Sequence, residues 1–312
     1  MRTDADLLIL AGVTAVGKTA LALDWAERIN AEILSCDSLL FYRGMNLGTA
    51  KPSSEELSRV PHHGVNLVEP AEPFDVARYV RYAQTVVEDV RSRGRRLLVT
   101  GGSGFYLKSF FTSVADEVVV SEEVRAEVIG LEAESGLEGM TARLRELNPV
   151  LPDDLDLFNP RRVARALERC LASGETLLVL RERFRSRSGP FGSLRKFTCL
   201  LERSPEDLEQ RVRKRTTAML AAGLVEEVKS LRERGLRENP SAARAVGYRE
   251  TLAMLDGELP RLELEASIVR STLQLAAKQR KWFRNQLEPD LKLFAVLGET
   301  FEVESLPLAP EP

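Results

Sequence analysis

The chain has 312 residues, of which 44% are hydrophobic and 29% charged, a composition typical of globular proteins. No apolar run approaches the roughly 18 residues of a membrane-spanning helix, and the first residues lack the pattern of an export signal. Three widely spaced cysteines, Cys36, Cys170 and Cys199, indicate neither a disulfide framework nor a zinc site. We therefore expect reduced thiols and a cytoplasmic protein that does not associate with membranes.

The net charge is −3, from 44 basic and 47 acidic residues, but the basic residues are unevenly distributed. They form two clusters. Clusters of basic residues are most often solvated helix faces, but two of them in a chain with net negative charge also suit a polyanionic partner. The first cluster comprises Arg161, Arg162, Arg165, Arg169, Arg181, Arg183, Arg185, Arg187, Arg195 and Lys196, and the second Lys278, Arg280, Lys281 and Arg284.

The first predicted strand, Leu7–Ala11, leads directly into a phosphate-binding pattern, G-x-x-x-x-G-K-[ST]. A helix predicted over Lys18–Asn30 follows, so backbone N–H groups and the positive end of a helix dipole point at one place. Lys18 can reach the terminal oxygens of a bound anion, and the Thr19 hydroxyl suits Mg²⁺. The loop therefore predicts a polyphosphate or diphosphate ligand, bound by Gly12, Val13, Thr14, Ala15, Val16, Gly17, Lys18 and Thr19.

Strands and helices continue to alternate along the first hundred residues. Strands are predicted at Glu32–Cys36 and Arg96–Thr100, with a helix over Val76–Arg93 between them. This alternation predicts a parallel sheet with its ligand beyond the carboxyl ends of the strands. Asp37-Ser38 follows the second strand and the glycine-rich segment 100–104 the third; these glycines permit either close approach of a ligand or a tight turn.

The character changes after the first hundred residues to charged helical segments, followed by a basic segment, 181–190, that we predict to be a mobile loop. A strand predicted at 197–201 returns to the sheet. The later predicted helices are Glu206–Ala222, Val225–Arg234, Ala242–Leu255 and Glu263–Leu287. We therefore predict an α/β protein: a P-loop-like parallel sheet core at 1–112 and 198–297 flanked by helices, an inserted α-helical domain at 113–197, and a weakly ordered tail at 298–312.

Several side chains are candidates for chemistry. Asp37 could bind Mg²⁺ indirectly, cap a helix, or act as a general base. Two arginine pairs, Arg211 with Arg215 and Arg162 with Arg165, could clamp phosphate or form surface ion pairs. A metal role for the two histidines, His62 and His63, is not indicated. These residues leave open a small-molecule kinase that binds ATP, a transferase with a diphosphate leaving group acting on nucleic acid, and a nucleotide switch.

An ordered set of motifs decides among these classes. The chain resembles the tRNA dimethylallyltransferases, also called tRNA isopentenyltransferases, over most of its length. The segments 48–52 and 247–248 are the most unusual of the matches. In chain order the matching residues are 12–19, Asp37-Ser38, 42–45, 48–52, 61–63, 101–107, 165–168, Arg211, 223–228, 246–250, Lys278-Gln279 and 282–284.

The resemblance implies transfer of a dimethylallyl group from its diphosphate to the exocyclic amine of the adenosine just 3′ of the tRNA anticodon. Lys18, Thr19 with Mg²⁺, and Arg211 would stabilise the departing diphosphate, and Thr14 would belong to the prenyl-diphosphate site. Asp37 would be the base that accepts the amine proton, with Ser38 positioning it. The alternatives are a prenyltransferase acting on free adenine nucleotides and a P-loop kinase.

The resemblance also implies which residues contact tRNA, and we expect the enzyme to be a monomer. The target base would be bound near Asp37, Ser38, Leu39, Leu40 and Ser103. RNA phosphates would be contacted by Arg125, Arg162, Arg165, Lys278, Arg280 and Arg284.

This sequence departs from the family pattern at several of the implied contact positions. Leu40 stands where the family usually has a base-holding glutamine, and Ser103 replaces a threonine. Leu273 and Ala277 replace basic residues. The changes suggest a divergent member of the family that binds RNA more weakly.

Overall fold

A computed structural model describes residues 3–114, 118–185 and 187–308. Two compact units make up the chain: one contains residues 1–112 and 190–312, and the other residues 113–189. Among the described residues, no helix is both long enough and apolar enough to cross a membrane.

The first unit is built on a six-stranded parallel sheet, which confirms the predicted α/β class. Its strands are β1 Leu7–Gly12, β2 Ala31–Ser35, β3 His62–His63, β4 Arg96–Gly101, β5 Lys196–Arg203 and β6 Leu291–Ala295. They lie in the order β3-β2-β4-β1-β5-β6. The central strand β1 is buried along its whole length, as expected where helices cover both faces of a parallel sheet. Sequence analysis missed β3, which has two residues, and β6, whose residues are mostly half-buried or exposed.

Helices surround this sheet. The long helix predicted over 242–255 is in fact two helices, because the chain turns at Gly247, whose φ of 90° breaks the helix. The helices of the first unit are α1 Lys18–Arg28, α2 Ser54–Arg59, α3 Val76–Ser92, α4 Gly104–Lys108, α8 Pro205–Ala221, α9 Leu224–Glu233, α10 Pro240–Ala243, α11 Tyr248–Leu255 and α12 Leu264–Gln286. Short 3₁₀ turns lie at Leu236–Glu238, Arg261–Glu263 and Val303–Ser305.

The first unit extends beyond the segments predicted for the core. Phe191 stacks on Phe110 with 4.7 Å between ring centroids, so residues 190–197 join the core rather than the insertion. Residues 298–308, the described part of the segment predicted as a tail, also pack on the core: Leu306 is buried, and Trp25 Nε1 donates to the carbonyl of Pro307 at 2.9 Å. A buried indole N–H needs such a partner, which explains the contact.

The second unit is helical and consists of α5 Glu122–Leu147, bent at Gly136, α6 Pro160–Ser173 and α7 Leu177–Arg185. Val128, Met140, Leu144 and Leu167 form its core. The predicted loop at 181–190 is helical up to Arg185, because Leu177 and Leu180 bury one face of α7; Ser186, in the middle of that segment, lies outside the described residues.

Candidate active site

The loop at residues 12–19, predicted to bind phosphate and called the phosphate loop below, follows β1 in the first unit and leads into α1. Ala15 and Gly17 adopt left-handed backbone conformations, with φ of 61° and 109°. Gly12 cannot carry a side chain, because a Cβ there would lie 2.9 Å from Val16 and 3.0 Å from the carbonyl oxygen of Leu201. The backbone therefore turns sharply at the carboxyl end of β1, which directs the amino end of α1 toward one cavity.

Lys18 curls back along this loop. Its Nζ donates hydrogen bonds to the carbonyl oxygens of Gly12 and Val13, both at 2.8 Å. Burial lowers the pKa of Lys18 to about 8, and the nearby Asp37 carboxylate opposes that shift. The ammonium is therefore still mostly protonated at neutral pH and available to an anion.

Three arginines approach the loop from β5 and α8. Arg203 Nε donates to the carbonyl of Val16 at 2.7 Å, and Arg211 Nε to that of Ala15 at 3.0 Å. Arg215 Nη1 lies 3.5 Å from the Thr14 hydroxyl, and burial lowers the pKa of this guanidinium.

The charges of these arginines are not balanced in the same way. Arg203 forms a buried ion pair with Asp207 at 2.6 Å. Arg211 and Arg215 have no acidic partner at salt-bridge distance among the described residues, so their positive charge faces the loop.

Asp37 stands just beyond β2, in line with the phosphate loop. Its Oδ1 accepts a hydrogen bond from the backbone N–H of Leu39 at 3.1 Å, which fixes the carboxylate. For Oδ2, the described part of the chain supplies no hydrogen-bond donor. Ser38 is held in turn, because its N–H donates to Ser103 Oγ at 3.3 Å. The aspartate therefore has one restrained oxygen and one available to a substrate.

Two cavities adjoin at this point, one of about 590 Å³ and the other of about 290 Å³. The larger contains the phosphate loop, with Lys18, Thr19 and Arg211 in its wall. The smaller contains Ser38, Leu39 and Ser103. Both are lined by Thr14, Asp37, Thr49, Arg215 and Gln279. Asp37 therefore lies in the wall that the two cavities share.

The glycine-rich segment after β4 owes two of its glycines to protein packing. A Cβ on Gly101 would collide with Cys36, and one on Gly104 would lie within the indole of Trp282. The close approach at these two positions is therefore between parts of the protein. Gly102 also lines the larger cavity.

A carboxylate anchors the segment 46–52 beside the cavities. Glu227 accepts hydrogen bonds from the N–H groups of Asn46 and Leu47 at 3.1 and 2.8 Å, and from the Tyr248 hydroxyl at 2.7 Å. Gly48 must lack a side chain because Tyr248 packs against it. This arrangement holds Thr49 in the wall shared by both cavities.

The structure groups some of the predicted RNA-contact residues and separates others. Ser38, Leu39 and Ser103 line the smaller cavity, whereas Leu40 lines the larger one. The cations of α12 lie in the same unit; Lys278 and Arg284 are exposed and Arg280 is half-buried.

The remaining predicted RNA-contact residues belong to the second unit. Arg125, Arg162 and Arg165 are exposed, and Arg165 pairs with Glu168 at 2.8 Å. Arg162 and Arg165 also line a cavity of about 630 Å³, to which Arg161, Arg169 and Arg181 contribute as well.

The donors near the loop are suited to Mg²⁺. Thr19 and Asp37 supply oxygen atoms to the larger cavity, and Mg²⁺ in such sites is commonly held by few protein ligands together with substrate phosphates. Residues 3–114, 118–185 and 187–308 include no group of three or more His, Cys, Asp or Glu side chains placed to hold a metal. Of the two histidines, His63 Nε2 hydrogen-bonds Glu32 at 2.8 Å, whereas His62 lines the larger cavity with its Nδ1 2.7 Å from the carbonyl oxygen of Val60.

Sequence reasoning left three residues of the site unassigned: Thr49, Arg203 and Gln279. Thr49 and Gln279 belong to motifs that were noticed, and Arg215 was predicted only as a possible phosphate clamp or surface ion pair together with Arg211. Arg203 gave only a weak signal, as a charged residue at the end of an otherwise apolar strand.

Known proteins resemble this chain over most of its length. The model of the IPP transferase family matches residues 40–286. A tRNA dimethylallyltransferase from Opitutus terrae is 56% identical over 284 residues, which cover 91% of each chain. Another from Geobacter metallireducens is 38% identical, over 90% of each chain.

Solved structures agree with these relatives. The tRNA isopentenylpyrophosphate transferase of Bacillus halodurans superposes with a TM-score of 0.66 at 30% identity, covering 94% of this chain and 91% of that one. A eukaryotic dimethylallyltransferase described as acting on tRNA superposes with a TM-score of 0.78 at 25% identity, covering 93% of this chain and 74% of that one. This chain therefore belongs to the IPP transferase family of tRNA dimethylallyltransferases.

Proposed function

We propose that this protein transfers a dimethylallyl group from dimethylallyl diphosphate to the exocyclic N6 amine of the adenosine 3′-adjacent to the anticodon in tRNA. The allylic C–O bond breaks, a C–N bond forms, and diphosphate leaves. The observation that carries the proposal is Asp37 at the junction of the two cavities. The names of the relatives support it.

The larger cavity suits the diphosphate. Positive charge from Lys18, Arg211 and Arg215 and the amino end of α1 converge there. Charge that develops on the departing diphosphate is stabilised most by groups already in place before the reaction. Thr19 would hold Mg²⁺ together with the diphosphate, and the ion would neutralise part of the leaving group's charge.

The smaller cavity suits the adenine. The amine of adenine is a weak nucleophile because its lone pair is delocalised into the ring, so a base must take its proton as the new bond forms. The unrestrained Oδ2 of Asp37 is available for that proton. The target base would have to leave its stack to enter the cavity, at a cost of about a few kcal/mol.

Positive surfaces of both units suit the tRNA backbone. Lys278, Arg280 and Arg284 lie on α12, and the arginine-lined cavity of the second unit carries Arg162 and Arg165. A free adenine nucleotide carries its one to three phosphates in a single short chain, which is too small to contact so extended a set of cations. These surfaces therefore favour RNA as the acceptor. We expect the protein to act as a monomer in the cytoplasm.

Mass spectrometry of tRNA nucleosides after incubation with enzyme, Mg²⁺ and dimethylallyl diphosphate tests the proposal. Dimethylallyl adenosine should appear at the position next to the anticodon. Equal prenylation of AMP and of an anticodon stem-loop would reject RNA as the acceptor. Transfer of label from γ-labelled ATP in place of prenylation would instead indicate the kinase alternative.

A further inference from the structure

The side chain of Gln279 joins two loops of the candidate site. Its Oε1 accepts a hydrogen bond from the backbone N–H of Thr14 at 2.8 Å. Its Nε2 donates to the carbonyl oxygen of Gly102 at 2.9 Å. One amide therefore ties the phosphate loop after β1 to the loop after β4.

The surroundings of Gln279 fit an amide at this position. A Cβ on Gly102 would lie 2.9 Å from Gln279 Nε2 and 3.1 Å from the carbonyl oxygen of Gly12, so glycine gives the amide room. Thr14 is held from its other side by Arg215, 3.5 Å from its hydroxyl. Both a donor and an acceptor are needed here, which excludes a carboxylate or an apolar side chain as an equivalent.

Gln279 also lies where the two substrates would meet. It lines both cavities, as do Thr14 and Asp37. Its helix, α12, carries Lys278 and Arg280 on either side of it. A shift of the phosphate loop relative to the β4 loop would therefore change the distance between a diphosphate and the neighbouring pocket.

We propose that Gln279 is a positioning residue that sets the phosphate loop against the β4 loop, and so aligns the allylic donor with the amine that attacks it. The inference rests on the proposed function. Gln279 acts through Thr14 and Gly102 and takes no proton in the reaction. Its amide matters because misplacement of reacting groups by about 1 Å can lower a rate on the order of a hundredfold.

Steady-state kinetics of Gln279→Met and Gln279→Glu test this role. Met has similar length and neither hydrogen bond, whereas Glu keeps an acceptor for Thr14 N–H and loses the donor to Gly102. Since one net hydrogen bond already corresponds to about tenfold, we expect Gln279→Met, which loses both, to raise the donor KM by about tenfold or more and to lower kcat as well. Gln279→Glu should raise the donor KM further, because its charge repels the diphosphate. Affinity for an anticodon stem-loop should stay within about twofold of wild type.

Gln286→Met is the matched control, since Gln286 is exposed at the end of the same helix, where it accepts from Lys108 at 3.2 Å and donates to the carbonyl oxygen of Asn285 at 3.1 Å. It should behave as wild type. Calorimetry with inorganic diphosphate gives a second readout that needs no turnover and should show the same order of affinities. Urea unfolding identifies any variant that has lost its fold; the other variant then decides the outcome.

Wild-type donor KM and kcat in folded Gln279→Met would overturn the inference. An equal loss of stem-loop affinity in both variants would overturn it too, because that pattern indicates general loosening of α12. A wild-type protein that forms no prenylated product would count against the proposed function instead. The two failures are therefore distinguishable.

Discussion

The Tyr248 hydroxyl donates to Glu227 at 2.7 Å, and that carboxylate accepts the N–H groups of Asn46 and Leu47. A helix residue thereby fixes, through one acidic side chain, a loop whose Thr49 lines both cavities. The chain brings these residues together from three separate segments. The contact explains why segments 48–52 and 247–248 are both so distinctive.

Tyr248→Phe should therefore affect both stability and the site. Loss of one partly buried hydrogen bond to a charged group is expected to cost about 1.5 kcal/mol of unfolding free energy, measured by urea denaturation. The donor KM should also rise. Tyr106→Phe, which loses a hydroxyl bonded to the Phe74 carbonyl at 3.0 Å, is a control that should lower stability and leave KM unchanged. An unchanged KM in Tyr248→Phe would show that the anchored loop is not part of the site.

Asp37→Asn should lower kcat by about 10²–10⁴-fold, because an amide cannot accept the amine proton. Binding of the anticodon stem-loop should change little, since the amide keeps the hydrogen bond from Leu39 N–H. Quench-flow and filter binding provide the two measurements. Asp89→Asn, a change at an exposed residue of α3 that pairs with Arg93, should have no effect. A parallel loss of stem-loop affinity would assign Asp37 a structural role.

The pH dependence of kcat/KM for the dimethylallyl donor should reflect deprotonation of Lys18. Its pKa of about 8 in the free protein means that the ammonium loses its proton as the pH rises through 8, well below the usual value for lysine. Attraction for the diphosphate weakens in the same range. We expect kcat/KM for the donor to fall above about pH 8. Lys18→Met should start lower and show no such decline; an identical decline in that variant would assign the titration to another group.

The lowered pKa of Lys18 should also make the free energy of unfolding depend on pH. Because its folded pKa lies below the unfolded value, the unfolded chain binds more protons between about pH 8 and pH 10.5. The contribution of Lys18 to the free energy of unfolding therefore rises with pH across that window, whereas kcat/KM for the donor falls. Lys18→Met should lack this rise in urea titrations, whereas Lys229→Met, at an exposed residue of α9, should retain it.

Paired replacement of Arg162 and Arg165 by alanine should reduce the slope of log affinity for tRNA against log salt by about one to two. Phosphate contacts release counterions, and two fewer contacts release fewer. Arg143→Ala with Arg145→Ala provides the control on α5 of the same unit, where both arginines are exposed. An unchanged slope would return Arg162 and Arg165 to ordinary surface ion pairing.

The sequence alone determined the local features of this protein. Residues 12–19 predict a phosphate loop because Gly12 and Gly17, placed between a strand and a helix, allow the tight backbone turn that such a loop needs. Asp37 could be predicted as a candidate site residue because it follows a buried strand, and the carboxyl ends of parallel strands meet at one edge of the sheet. The alternation of strands and helices could also be predicted, because the hydrophobic pattern of a strand or a helix involves only residues that are close together in the sequence.

Only the tertiary structure decided which distant residues complete the site. Thr14 and Gln279 are 265 positions apart, and no periodicity relates them. The places of Arg203 and Thr49 in the site likewise depend on how separate elements pack together. So does the contact between Trp25 and Pro307. Short edge strands such as β3 exist because a neighbouring strand pairs with them. Local pattern carries no record of such contacts, because the folded chain creates them between segments that the sequence keeps far apart.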